Sequence, residues 1–403
     1  MRRRALLQSL GTAAALATTG LAGCMGSSDA QTSVFDREAP APTGVGTGWQ
    51  SPRLDARNSA RAGVPGPGNA PGVAWQGTVE NARFRHEPMA FGDTVLVPSV
   101  RESRLLAFDA RDGSVRWERD LESASGPVTV HDGTVLCPDG HRLQAFREES
   151  QQWVEPFAGE VTGVTAVDGT AYVATADGSP ALYALAVDDG SVDWQRETGL
   201  LEAPPAVADG QVIVGDMSGL VRAFDVETGE DRWQHAVRDD WLQASVVVAG
   251  DTVYAASGTR ELERGHVYAL GLDGDEYWER ELGSSVMASP AVGSDRLFVV
   301  DAAGTLHALD AAGGSTQWEF TTGDDGTASL VGGQRRYSPA VCNGLVYYVG
   351  ADQQLRAIET DAERPDVRWS ATHDFTTAPV VAGQHLFVGA RDELVVLGRP
   401  ASS

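Results

Sequence analysis

The chain is 403 residues long, 42% hydrophobic, and carries 31 basic against 56 acidic residues, a formal net charge of -25. Every basic residue is an arginine. A surface this acidic repels nucleic acid at ordinary ionic strength, so nucleic-acid partners are set aside. In molar salt, where the Debye length is about 3 Å, the repulsion is screened, and acid excess without lysine fits a halophilic protein.

Met1 to Cys24 reads as a targeting segment: arginines at 2, 3 and 4, a weakly apolar run from Ala5 to Ala22, then Leu21-Ala22-Gly23-Cys24. Arg3-Arg4-Ala5-Leu6-Leu7 resembles a twin-arginine (Tat) export signal. Leu-Ala-Gly-Cys resembles a lipobox, at which Cys24 would be lipidated and become the mature N-terminus. The expected address is extracytoplasmic, anchored to the outer face of the cytoplasmic membrane. A cleaved signal without lipid and an uncleaved anchor are the alternatives; Gly and Thr break the run too often for a good span.

Residues 24–70 are rich in Gly, Pro, Ser, Ala and Asp and poor in strand formers, which predicts a flexible tether. One island, Trp49 to Asn58, is expected to be a short ordered stretch laid over the domain, with Trp49 as its anchor.

From about residue 71 to 400 one pattern recurs. In Leu105 to Trp117, LLAFDARDGSVRW, an apolar strand meets turn chemistry at Asp109 to Gly113 and returns antiparallel, which places Ala107 opposite Trp117. The same geometry pairs Ala145 with Trp153, Ala184 with Trp194, Ala223 with Trp233, Ala269 with Trp278, Ala308 with Trp318 and Ala357 with Trp369. Together with Trp75 these indoles lie about 42 residues apart on average, a spacing suited to four-stranded propeller blades. A second motif, such as Ala206 to Gly215 or SPAVCNGLVYYVG from 338 to 350, supplies two more strands to each unit. The last unit has three strands and no Trp, whereas Trp75 has no strands of its own blade before it. The Trp75 strand is therefore expected to pair with the C-terminal unit and close an all-β, eight-bladed β-propeller. Seven blades is the alternative, because the unit near 127–157 is short.

Three cysteines are present; Cys24 belongs to the lipobox, and Cys137 and Cys342 fall three blade steps apart. Two buried free thiols are expected. The loops that depart from the repeat are 81–87, 238–243, 257–265 and 323–337. They carry the candidate binding face: Phe84, Arg85, Trp241, Arg335, Arg336 and Tyr337, an arginine and aromatic composition suited to interaction hot spots. These loops could equally pack on one another or on the Trp49 segment. The histidines, at 86, 131, 141, 235, 266, 307, 373 and 385, show no metal-ligand spacing, and no phosphate loop or nucleophile elbow occurs.

LYALAVDDGSVDW, VRAFDVETGEDRW and LHALDAAGGSTQW resemble the repeat of the pyrroloquinoline quinone (PQQ) propeller family. That family includes quinoprotein alcohol dehydrogenases and, without cofactor, the lipoprotein of the bacterial outer-membrane assembly machine. The resemblance implies the fold over about 71–400 and leaves the activity open. For the dehydrogenases it implies adjacent cysteines beside the quinone and a Glu, Asn and Asp set on calcium. This chain has no adjacent cysteines, and Asn81 and Asn343 are its only asparagines in the repeats. No metal site, catalytic residue or cofactor is therefore expected. The reading is a monomeric, non-catalytic binding or scaffold protein at the cell surface, with a protein or small ligand on the propeller face. The alternatives are a PQQ-dependent oxidoreductase or quinone-binding protein, with calcium, and a carbohydrate or peptide receptor.

Overall fold

A computed structural model describes residues 33–238, 241–322 and 337–400. Eight sheets follow one another along the chain, and from blade 2 round to blade 1 the first strands of successive sheets touch. Blades 1 to 7 span 89–120, 129–156, 160–197, 206–236, 247–282, 291–321 and 340–372. Blade 8 takes three strands from 380–398 and its fourth from the N-terminal side, β3 (Gly72–Thr78; two shorter N-terminal strands, β1 and β2, are described below). β3 pairs antiparallel with the last strand, Glu393–Gly398, with Trp75 opposite Val396. The ring is thus eight-bladed and closed by its N-terminal strand, as the repeat predicts. Blade 2, despite its short hairpin, is a full four-stranded sheet.

All seven expected Ala–Trp pairs are in register, each followed by a bulge one residue beyond the alanine. The indole does more than cover its alanine. Trp75 Nε1 donates to Ala110 O of the next blade at 2.8 Å, and Trp153, Trp194 and Trp278 repeat this onto Val187, Val226 and Ala311. Gly113 explains the turn glycine twice over: its φ is +74°, and a Cβ there would meet Trp75 Cε3 at 2.4 Å. The ring of one blade therefore lies on the hairpin turn of its neighbour. Burying an aromatic of this size removes about 150–250 Å² from water, worth roughly 4–6 kcal/mol as an upper figure.

The seams that vary are those where the hairpin turn changes length. Trp233 reaches blade 5 through Gln211, which accepts from the indole at 2.8 Å and donates to Leu272 O at 3.0 Å. Trp117 meets the short turn of blade 2 edge-on at Phe146, 5.8 Å between centroids. Trp318 faces the longer turn of blade 7 and its buried Nε1 has no partner. Blade 8 has no hairpin turn before β3, and there Pro67 O accepts from Trp369 Nε1 at 3.1 Å. Cys137 and Cys342 are both buried and free.

The largest departure from the sequence reading is in 33–70. The expected flexible tether is ordered from Ser33 onward, and its Trp49 island lies inside the ring and not over it. Residues 37–39 run along the outer edge of β3, with Val73 N donating to Arg37 O and Ala39 N to Val73 O. His385 holds Pro40 O at 3.0 Å, and the chain then turns inward: β1 (Gly46–Trp49) pairs with the first strand of blade 1. The next residues touch the inner strands in turn. Val130 donates to Gln50 O, Val207 to Ala56 O, Val248 to Arg57 O, Val292 to Ser59 O and Val341 to Ala60 O, at 2.6–3.3 Å. β2 (Arg61–Ala62) then runs parallel to the first strand of blade 7. An inner strand is an edge with unpaired amides, and the segment supplies the missing acceptors. Composition hid this because the stabilisation comes from backbone hydrogen bonds, which any residue can make. Gly48 shows how closely the chains approach: a Cβ there would stand 1.8 Å from Ala90 O.

Candidate functional site

Two places could carry function: the axis of the ring and the face bearing the long loops. On the axis, Trp49 and Asn58 are fully buried and Arg53 nearly so. The Arg53 guanidinium donates to Pro339 O at 2.9 Å and to Pro290 O at 2.7 Å, and its backbone N–H donates to Glu87 Oε1 at 2.7 Å. Asn58 Nδ2 donates to Pro205 O and Val246 O, both at 3.1 Å. Burial pulls the Arg53 guanidinium down to about 10 and pushes the Glu87 carboxyl up, each opposed by the other's charge. Arg53, Leu54, Asn58 and Ala60 all have φ between +50° and +85°. That concentration of left-handed backbone costs on the order of 1–3 kcal/mol per residue and persists only where surroundings enforce it. Here the inner strands enforce it.

The loop face is formed by the connections between blades together with those between second and third strands. A repeated device unmarked by the hairpin pattern pins it. In blades 1, 5, 6 and 8 a loop residue bridges to the end of the second strand: Phe84 to Ser99, Trp241 to Gly258, Val286 to Asp301 and Phe375 to Ala390. Phe84, Val286 and Phe375 are fully buried and Trp241 is half-buried. Phe84 packs edge-on to Phe108 at 6.5 Å, so it anchors its loop and is withdrawn from the surface, whereas Arg85 is exposed. Trp241 stands on blade 5 and Phe84 and Arg85 on blade 1, half a turn of the ring apart. Tyr337, half-buried, packs against the core on the way into blade 7. The candidate residues thus share a face without forming one patch; Cys24, Arg335 and Arg336 lie outside the described residues.

Between blades 4 and 5 a cleft of about 610 Å³ is lined by Val237, Arg238, Arg264, His266, Glu279 and Glu281. Arg238 grips Glu279 through Nε at 2.6 Å and Nη2 at 3.1 Å, and this pairing holds the Glu279 carboxyl below the usual range. Three blade steps away, His86 holds Ala124 O at 3.2 Å across the seam of blades 1 and 2, and burial lowers its imidazole to about 4. His307, buried between Asp301 at 2.9 Å and Glu319 at 3.1 Å, braces its own blade.

The family model described as outer membrane protein assembly factor BamB matches residues 69–154, 101–264 and 263–398. The chain belongs to this PQQ-repeat family. The assembly factor BamB of Yersinia pestis is 28% identical over 347 residues, 77% of this chain and 84% of that protein. The quinohemoprotein alcohol dehydrogenase ADH IIB of Pseudomonas putida is also 28% identical, over 55% of this chain but only 28% of its own length. Among solved structures, BamB from Moraxella catarrhalis superposes with a TM-score of 0.66 at 17% identity, covering 81% of this chain and 99% of that one. The quinohemoprotein dehydrogenase ADHIIG of Pseudomonas putida HK5 gives 0.72 at 12%, covering 89% and 82%. Likeness at that identity shows the fold.

At the two places above, the described residues do not form the slot that the quinone of the dehydrogenase branch implies. A planar cofactor needs a slot of several hundred cubic ångströms with apolar walls. Trp49, Arg53 and Asn58 fill the axis, and the cleft at Arg238 and Glu279 has mostly charged walls, with His266 as its one ring. Among the described residues, no group of three or more His, Cys, Asp or Glu could hold a metal ion.

Proposed function

We propose that the chain is a lipid-anchored, extracytoplasmic propeller that acts as a scaffold, holding a protein partner on its loop face and carrying out no redox chemistry. The observation that carries this reading is the axis filled by the chain's own residues 44–62, which leaves the periphery of the loop face as the working surface. Relatives that match along most of both chains are assembly factors by name, which supports a holding role. Lipid on Cys24 would set the protein on the outer face of the cytoplasmic membrane.

Two measurements test the proposal. Purified protein given PQQ, calcium and an artificial electron acceptor is expected to oxidise neither alcohols nor sugars and to retain no quinone absorbance after desalting. Turnover, or one bound quinone per chain, would replace the scaffold with an oxidoreductase. For the anchor, Cys24→Ala is expected to shift the protein from the membrane pellet to the soluble fraction after cell lysis. An unchanged pellet fraction rejects attachment through Cys24.

A further inference from the structure

Arginines in this chain are mostly partnered. Arg116 lies 2.6 Å from Asp109, Arg232 2.6 Å from Asp225 and Arg238 2.6 Å from Glu279, and Arg368 pairs with Glu359. With 56 acidic residues against 31 basic ones, a carboxylate is within reach almost anywhere on the surface. Seven of the described arginines, Arg83, Arg85, Arg101, Arg260, Arg264, Arg364 and Arg399, are exposed with guanidinium groups that have no hydrogen bond or ion pair among the described residues, and Arg83, Arg85 and Arg101 are the largest set of these at one seam.

The backbone gathers them at one seam. Phe84 N donates to Arg391 O at 2.9 Å, and Val100 N donates to Arg83 O at 2.9 Å. The loop carrying Arg83 and Arg85 is therefore laced between the Arg391 loop of blade 8 and the Arg101 loop of blade 1. Phe84, buried between Arg83 and Arg85, faces the core, which turns both neighbours outward. Of the four arginines only Arg391 has a carboxylate, Asp374 at 3.1 Å. The base is rigid, since Phe84 is locked against Phe108 and bridged to Ser99. The opposite face near blades 7 and 8 is occupied by the chain's own 39–45 and 63–71, with Pro40 on His385 and Pro67 on Trp369.

We infer that the seam of blades 8 and 1, through Arg83, Arg85 and Arg101, docks a carboxylate-rich polypeptide segment. Guanidinium groups match carboxylates in paired, directional hydrogen bonds that survive when salt has screened the long-range field. Nucleic acid and an anionic bilayer extend past the cluster and would also contact, at close range, the acidic surface of a chain whose net charge is -25. A short acidic segment meets only the local cluster. The inference rests on the scaffold reading and names the chemistry of its partner; the quinone assay judges that reading separately.

The test uses the full-length protein and a fluorescently labelled octaglutamate peptide, followed by anisotropy at fixed salt. The wild type is expected to bind, and the triple variant Arg83→Ser, Arg85→Ser, Arg101→Ser to bind at least ten-fold more weakly with an unchanged melting temperature. The control Arg260→Ser, Arg264→Ser, which removes two exposed arginines across the ring, is expected to stay within two-fold of wild type. Absence of binding by the wild type, or equal weakening in both variants, overturns the assignment. So does a wild type that ignores the peptide but sediments with phosphatidylglycerol vesicles in a way the triple variant does not, which would make the seam a lipid contact.

Discussion

Arg53→Ala is expected to lower the unfolding free energy by about 3–5 kcal/mol, the loss seen when one member of a buried charge network is removed. The substitution strips donors from the carbonyls of Pro290 and Pro339 and leaves Glu87 buried without its cation. The missing charge would push the Glu87 carboxyl further up, so the variant should lose more stability at neutral pH than in mild acid, where Glu87 takes a proton. Urea denaturation at constant salt measures both. Arg57→Ala is the control: Arg57 lies on the same segment, but its contacts with Gly250 O and Asp209 are exposed, and a change within about 1 kcal/mol is expected. Equal losses in the two variants would mean that 44–62 is not gripped through the axis.

The second large effect is expected at ring closure. Trp75→Ala should cost about 3–5 kcal/mol, as large-to-small changes of buried aromatics do. It empties the seam between blades 8 and 1, orphans Ala110 O and removes the ring packed edge-on to Phe387 at 6.3 Å. Because Trp75 sits on the strand that closes the circle, amide exchange at Leu394 to Leu397 should accelerate with it. Trp318 provides the comparison. Its Nε1 is buried without an acceptor, so Trp318→Phe removes an unsatisfied donor and should cost less than Trp194→Phe, which abandons Val226 O, by about 1 kcal/mol. Reversal of that order would show that the indole nitrogens contribute little and that ring area alone holds the blades.

The blades were legible because their stabilisation is written in side chains. An alanine opposite an indole, a turn glycine and a strand without its blade recur at fixed spacing, and each leaves a mark in the sequence. Residues 44–62 left no such mark, since Gln50, Ala56, Arg57, Ser59 and Ala60 serve through their carbonyl oxygens. Arg53 falls in the island Trp49 to Asn58, which the sequence marks as ordered but lays over the domain, and only the prolyl carbonyls of 290 and 339 place it on the axis. The candidate face was legible in part. Loop insertions identify which connections are unusual, but not where around the circle each one falls, and Trp241 and Arg85 prove to lie half a turn apart. Phe84 is a candidate for the surface because its loop departs from the repeat and mixes arginine with aromatic residues; its bridge to Ser99 draws it inward.

The order of 33–70 also bears on the anchor proposed at Cys24. Val34 is already buried and Phe35 rests 5.2 Å from the His373 ring, so the described order reaches back to Ser33, nine residues after Cys24. Fully stretched, nine residues reach about 30 Å. Were lipid attached at Cys24, as proposed, the nine residues up to Ser33 would bound how far the propeller could stand from the bilayer. A binding partner would then have to come alongside within that narrow layer, and confinement there would raise its local concentration before any contact is made.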